Sequence, residues 1–197
     1  MMGRFRTPTT GASRGGRWLF LAVMVALAVV PARAEISLLA PRDELLVAAY
    51  NQDIDAVRAQ LTGGASANSV DTEGRTALMY AAVSGNADIV RLLLDRGAWI
   101  ELRDRFGNTA LMLAADRGRS DVAALLLQRG AKVDAENRQG VTPLMQAAGS
   151  GRLEVARVLL KGGADAKRQD YSGFSAMDWA ERANQRRVVD VLRRAGS

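Results

Sequence analysis

The sequence predicts an all-α solenoid of stacked helix–turn–helix units, and three observations predict it. Residue types recur in register every 33 positions along most of the chain. Each period holds two short apolar stripes with helical spacing, each ended by glycine. Aromatic residues make up only 5% of the chain, which suits small, closely packed helices better than a broad sheet rich in β-branched and aromatic side chains.

Residues 1–34 read as an export leader. Arg14 and Arg17 precede an apolar run from Trp18 to Val30, Pro31 breaks it, and Ala32, Arg33 and Ala34 end it. A charged segment, a short apolar core and small residues at the cleavage site are the three parts of a secretory signal peptide. Thirteen helical residues rise about 20 Å, short of the roughly 30 Å hydrocarbon core, so a permanent span is disfavoured. The expectation is cleavage after Ala34 by the general secretion route, a mature chain of 35–197, and a periplasmic or secreted location.

The leader also explains the charge. The chain carries a formal +6, but residues 1–34 hold five arginines and no acid, leaving 22 basic against 21 acidic residues beyond them. A near-neutral mature chain gives no general reason to expect nucleic acid as a partner.

The repeat is visible in seven columns. Gly74, Gly107, Gly140 and Gly173 form one, and Thr76, Thr109, Thr142 and the similar Ser175 another. Leu78, Leu111, Leu144 and Met177 follow, then the alanine pairs 81–82, 114–115 and 147–148. Further columns are Gly85, Gly118 and Gly151; Gly64, Gly97, Gly130, Gly163 and Gly196; and the aliphatic triplets 92–94, 125–127 and 158–160.

Residues 137–169 show how one unit works. Asn137 to Gly140 is a turn sequence. Thr142 can cap a helix that starts at Pro143, where the missing N–H costs little. Leu144, Ala147 and Ala148 make one apolar stripe, which Ser150 and Gly151 stop. A second helix from about Leu153 to Leu160 turns Val155, Val158 and Leu159 to one side, and Gly162 and Gly163 end it. Helices this short are unstable alone in water and must stack, with the alanines allowing close approach.

These residues carry a resemblance. The run from Asp71 through Gly74, Thr76, Leu78, Ala81 and Ala82, then Gly85 and the stretch Ile89–Ala98, resembles the ankyrin repeat. Full units fit 71–103, 104–136 and 137–169. Residues 38–70 resemble a degenerate opening unit and 170–197 a closing one, making about five in a domain of 35–197. The family's usual histidine after the leucine is Met79, Met112, Met145 and Asp178 here. Methionine can pack there instead, so somewhat softer turns are expected in the same fold.

Catalysis finds little support. There is no histidine to act as base and no cysteine to act as nucleophile or metal ligand. The lysines Lys132, Lys161 and Lys167 all lie near repeat ends, and the glycines follow the period rather than a phosphate-binding loop. Asp116 and Asp178 read as surface or capping acids. No catalytic, cofactor or metal site is expected; a hydrolase stands as the rival of another class.

The resemblance implies that binding belongs to a concave face built from the turn tips and the exposed side of each first helix. Carried over column by column, the tips offer Thr72, Glu73 and Arg75; Arg105, Phe106 and Asn108; Arg138, Gln139 and Val141; and Tyr171, Ser172 and Phe174. The first helices add Tyr80, Val83 and Ser84; Leu113, Asp116 and Arg117; Gln146 and Ser150; and Trp179 and Arg182. Aromatics beside arginine are the usual anchors of protein interfaces. The expected partner is therefore a folded protein, held by a monomer acting as adaptor, stabiliser or inhibitor. Trp179 and Phe174 could equally plug the end of the stack, and Trp99 could be core edge or surface. A second binding reading rests on the basic last helix, with Arg182, Arg186, Arg187, Arg193 and Arg194 facing an anionic membrane or envelope polymer. The plainer reading of those arginines is a solubilising cap.

Overall fold

The structure is a computed structural model that describes residues 43–195; the expected leader and the first residues of the opening unit lie outside the described residues. Ten α-helices follow one another there: α1 Glu44–Tyr50, α2 Ile54–Thr62, α3 Ala77–Ser84, α4 Ala87–Asp95 and α5 Ala110–Arg117. They continue as α6 Ser120–Gln128, α7 Pro143–Gly149, α8 Leu153–Lys161, α9 Ala176–Arg182 and α10 Arg186–Ala195. The odd-numbered helices stack in one row and the even-numbered in a second, each helix also packing on its own pair-mate.

Why these segments are helical is legible at their ends. Thr76, Thr109 and Thr142 accept through Oγ1 from the backbone N–H three residues on, and Ser175 does the same through Oγ. Asp43, Asp53 and Asn86 cap α1, α2 and α4 through their side chains. The opening unit lacks the Thr-x-Leu motif, yet Asp43 replaces the missing threonine at the equivalent position. Asp178, where the family has histidine, closes a capping box with Ser175. The three methionines of that column are buried, and Met145 Sδ also accepts from the Thr142 N–H at 3.4 Å.

The core runs the length of the stack between the two helix rows. Leu45, Leu78, Leu111 and Leu144 are sealed in it with the paired alanines, and Val57, Ile89, Leu93, Leu126, Val155 and Leu159 meet them from the second helices. Alanine lets the two rows approach, and the apolar area removed from water at each step is what holds a short helix in place.

The second-helix starts add a cross-unit bond. Arg119 and Arg152 occupy the capping positions of α6 and α8 without capping them. Their Nε groups reach back instead, Arg119 to the carbonyl of Val83 at 3.0 Å and Arg152 to that of Asp116 at 2.9 Å. Gly118 makes this possible: its φ is +74°, and a Cβ there would stand 2.9 Å from Arg152 Cδ.

The burial pattern separates core from surface sharply. Leu126→Ala should lower stability by about 2–5 kcal/mol, as for other sealed leucines. Arg105→Ala removes an exposed ion pair with Glu73, so its cost should not exceed about 1 kcal/mol. Chemical denaturation of both variants checks the difference; equal midpoints would overturn the assigned core.

Candidate interaction surface

Four turn tips of one design project from the stack. In each, a carboxylate or amide Oδ1 accepts two backbone N–H groups. Asp71 takes those of Glu73 and Arg75 at 2.8 and 2.9 Å, and Asp104 those of Phe106 and Asn108 at 2.9 and 2.8 Å. Asn137 takes those of Gln139 and Val141 at 2.9 and 3.1 Å, and Asp170 those of Ser172 and Phe174 at 2.9 and 3.0 Å. Adjacent tips are then tied by backbone bonds: Arg105 N–H to Glu73 O, Arg138 N–H to Phe106 O, and Tyr171 N–H to Gln139 O, at 2.8 to 3.1 Å. The Asn137 amide adds a bond to Asn108 Oδ1 at 3.0 Å. The tips thus form a continuous row whose backbone polar groups are largely occupied, leaving the side chains to project.

Among the projecting side chains, Arg105, Phe106, Arg117, Arg138, Gln139 and Tyr171 are exposed. Phe106 is 41% and Tyr171 74% accessible. Arg105 both pairs with Glu73 and lies 4.6 Å from the Phe106 ring centroid, a cation–π contact that holds the two side chains together. Arg75, Tyr80, Asn108, Leu113, Gln146, Phe174 and Trp179 are half-buried. Val141, expected at a tip, is a correction: it is only 5% accessible. Its N–H is held by Asn137, and its position just before the helix cap turns the side chain onto the core.

Two of the aromatic candidates also have a structural task. Tyr80 and Trp179 occupy equivalent positions in units three apart, and each reaches back to the tip carboxylate of its own unit. The Tyr80 hydroxyl donates to Asp71 Oδ2 at 2.5 Å, and Trp179 Nε1 donates to Asp170 Oδ2 at 2.9 Å. Burial, with the bond to Asp71 and that carboxylate's charge adding to it, pushes the Tyr80 hydroxyl up to about 12. Arg75 nearby opposes this in part, while its own Nε is shut off from solvent without an acceptor. Trp179 lies over Gly149 of the preceding unit, where a Cβ would come within 2.8 Å of its ring. Phe174 lies under the Arg182 guanidinium, 4.2 Å from the ring centroid. Trp179, Phe174, Arg182, Asp170 and Ser150 line an open cleft of about 590 Å³ between α7 and α9.

The row of first helices has three outward columns. The first is Val47, Tyr80, Leu113, Gln146 and Trp179; the second is Tyr50, Val83, Asp116, Gly149 and Arg182. The third is Asn51, Ser84, Arg117, Ser150 and Ala183, and Ser150 Oγ bridges to Asp116 Oδ1 at 2.8 Å. Tyr50 was missed from sequence. It is 63% accessible and meets Tyr80 edge to face at 5.7 Å. Its signal was present, since Tyr50 stands 33 residues before Val83. Trp99 is a surface residue, 66% accessible, on a loop after a second helix. Its equivalents there are Ser66, Lys132 and Asp165.

Among the described residues, no group of three or more acidic side chains is placed to hold a metal ion, and no helix is long and apolar enough to cross a membrane.

Two predictions follow from the tip chemistry. Tyr80→Phe should cost about 1–2 kcal/mol, the range between a neutral bond and one to a charged acceptor. Tyr50→Phe should cost almost nothing; thermal melts of the pair decide it. The second concerns acid. Burial pushes the Asp170 carboxyl up, but bonds from the Phe174 and Ser172 N–H groups and Trp179 Nε1, with Arg182 nearby, outweigh this and hold it below the usual range. Bonds from Ser175 lower Asp178 likewise. A carboxyl depressed in the folded state stabilises fully above its unfolded pKa, and that contribution is lost as pH falls through the folded value. The melting temperature should therefore hold from neutral pH down to about 4–5 and then drop. Asp170→Asn with Asp178→Asn should melt lower at neutral pH and show a shallower acid drop; parallel curves would contradict the assignment.

A family model described as ankyrin repeats (3 copies) matches residues 45–137 and 131–197. No curated protein matches the chain.

Proposed function

The chain belongs to the ankyrin-repeat family, and from that premise we propose that it is an exported, monomeric binding protein that holds a folded partner protein through its tips and the outward columns of its first helices. Ankyrin repeats generally mediate protein–protein interaction. One observation carries the assignment to this face. Most first-helix positions are committed to the core, while three adjacent columns and a row of backbone-satisfied tips remain available, with Tyr50, Phe106 and Tyr171 exposed along them. Large amphipathic rings on a preordered frame are effective anchors, because little conformational entropy is lost when they are covered.

Binding without turnover fits the chemistry on this face. Its carboxylates Asp71, Asp170 and Asp178 are engaged in hydrogen bonds that position the tips and caps. The partner would be stabilised, inhibited or localised by being held. Export rests on the three-part pattern of residues 1–34. It places the work in the periplasm or outside the cell, where a fold with no cysteine is indifferent to the oxidising surroundings.

Two measurements check these readings. Capture from the native envelope fraction, with wild type beside Phe106→Ala and Tyr171→Ala, should yield a partner whose retention falls at least about tenfold in the double variant, as for lost anchors. The double variant should melt like wild type, and a partner retained equally by the two proteins would move the site off this face. Intact mass after expression with native secretion should begin at Glu35; a full-length soluble product would sink the export reading.

A further inference from the structure

The outward columns end at an edge with an uneven distribution of charge. The turns between the first and second helix of each pair line up along one edge of the stack. In the three C-terminal pairs, residues 116–121, 149–154 and 182–187 hold six arginines against three carboxylates. The equivalent residues of the first two pairs, 50–55 and 83–88, hold three carboxylates, Asp53, Asp55 and Asp88, and no cation. One edge of a near-neutral domain is thus polarised from acidic to basic along its length.

The cationic end is also shaped. Arg117, Arg152 and Arg187, from three successive pairs, line one cleft of about 280 Å³ with Leu153, Val155 and Glu154. All three are exposed. Arg152 is held by the bond from its Nε to Asp116 O, so its guanidinium is positioned before any ligand arrives. Arg117 pairs at 3.3 Å with Asp116, which the Ser150 hydroxyl also engages. Glu154 is drawn toward Arg157 at 3.8 Å on its own helix.

We propose that this C-terminal part of the turn edge docks on an anionic phospholipid surface, with Arg117, Arg152 and Arg187 meeting headgroup phosphates. The choice of occupant follows from what the edge lacks. A protein interface of useful strength needs an apolar centre, and the exposed large apolar side chains among the described residues, Tyr50, Val70, Trp99, Phe106 and Tyr171, all lie outside these three turns. Single-stranded nucleic acid would call for open aromatic platforms, whereas the rings nearest these turns are half-buried, Phe174 under Arg182 and Trp179 over Gly149. A sheet of headgroups needs only cations near one plane, and arginine forks suit phosphate oxygens. The acidic N-terminal end of the edge would be repelled, so the stack would meet the membrane by its C-terminal pairs. The structure widens the sequence expectation of a basic last helix. Arg187 joins the cleft at the start of α10, while Arg186 and Arg193 lie with Glu181 and Asp190 around a different hollow.

The proposal shares Arg117 with the outward columns of the first helices but does not depend on a protein partner, and it is tested on the full chain with vesicles. Flotation with mixed phosphatidylglycerol–phosphatidylcholine vesicles should exceed that with pure phosphatidylcholine by about tenfold at low salt, and raising salt from about 0.05 to 0.3 M should abolish the excess. The neutral vesicles report any binding by the apolar run of residues 18–30. Arg117→Gln with Arg187→Gln should remove the excess while melting like wild type, and Arg117→Lys with Arg187→Lys should restore most of it. Equal flotation on both vesicle types, or an excess that survives the glutamine variant, overturns the proposal. So does displacement by millimolar inorganic phosphate, which would make the cleft a small-anion site, or tighter binding to polyglutamate or duplex DNA than to the vesicles.

Discussion

A helix of seven to ten residues does not persist alone in water, and almost every feature of this protein answers that constraint. The described helices are all of that length, so each depends on neighbours to its side and behind it. The leucine column and the paired alanines supply those contacts, and alanine is required because a larger side chain would force the two rows apart. Stability is therefore distributed along the stack, each unit leaning on the next.

The second requirement is that each tip be rigid enough to register one unit on another. A single acceptor does this four times. Asp71, Asp104, Asn137 and Asp170 each gather two N–H groups, after which a backbone bond ties neighbouring tips together. The methionines that stand where the family has histidine are buried, and the tip acids, the threonine and serine caps and the Arg119 and Arg152 bonds carry polar links around them. Surface is left over where the frame has no use for it, on the tip side chains, the three outward helix columns and the turn edge.

Much of this was legible in the sequence. The period and the helix ends follow from residue types whose effects are local, namely glycine in left-handed turns, threonine at caps and apolar stripes at helical spacing. The tip acceptors were legible as well, since Asp71, Asp104, Asn137 and Asp170 share the 33-residue spacing, although their task was not read from it. The candidate face was read less completely. Column arithmetic placed Phe106, Tyr171, Arg105 and Arg138 outward, as they are. It could not separate Tyr80 and Trp179, whose polar ends serve their own tips, from Tyr50, whose ring is open.

By itself the sequence determined the class of fold and the order of its helices, because a strict repeat converts local propensity into global arrangement. Tertiary structure alone decided which side chains are spent on the frame. Val141 turned inward, Trp179 closed over Gly149, and Arg117, Arg152 and Arg187 came together from positions 35 residues apart. Those outcomes depend on distances between successive units, which are set by packing and leave no mark on the spacing of residue types along the chain.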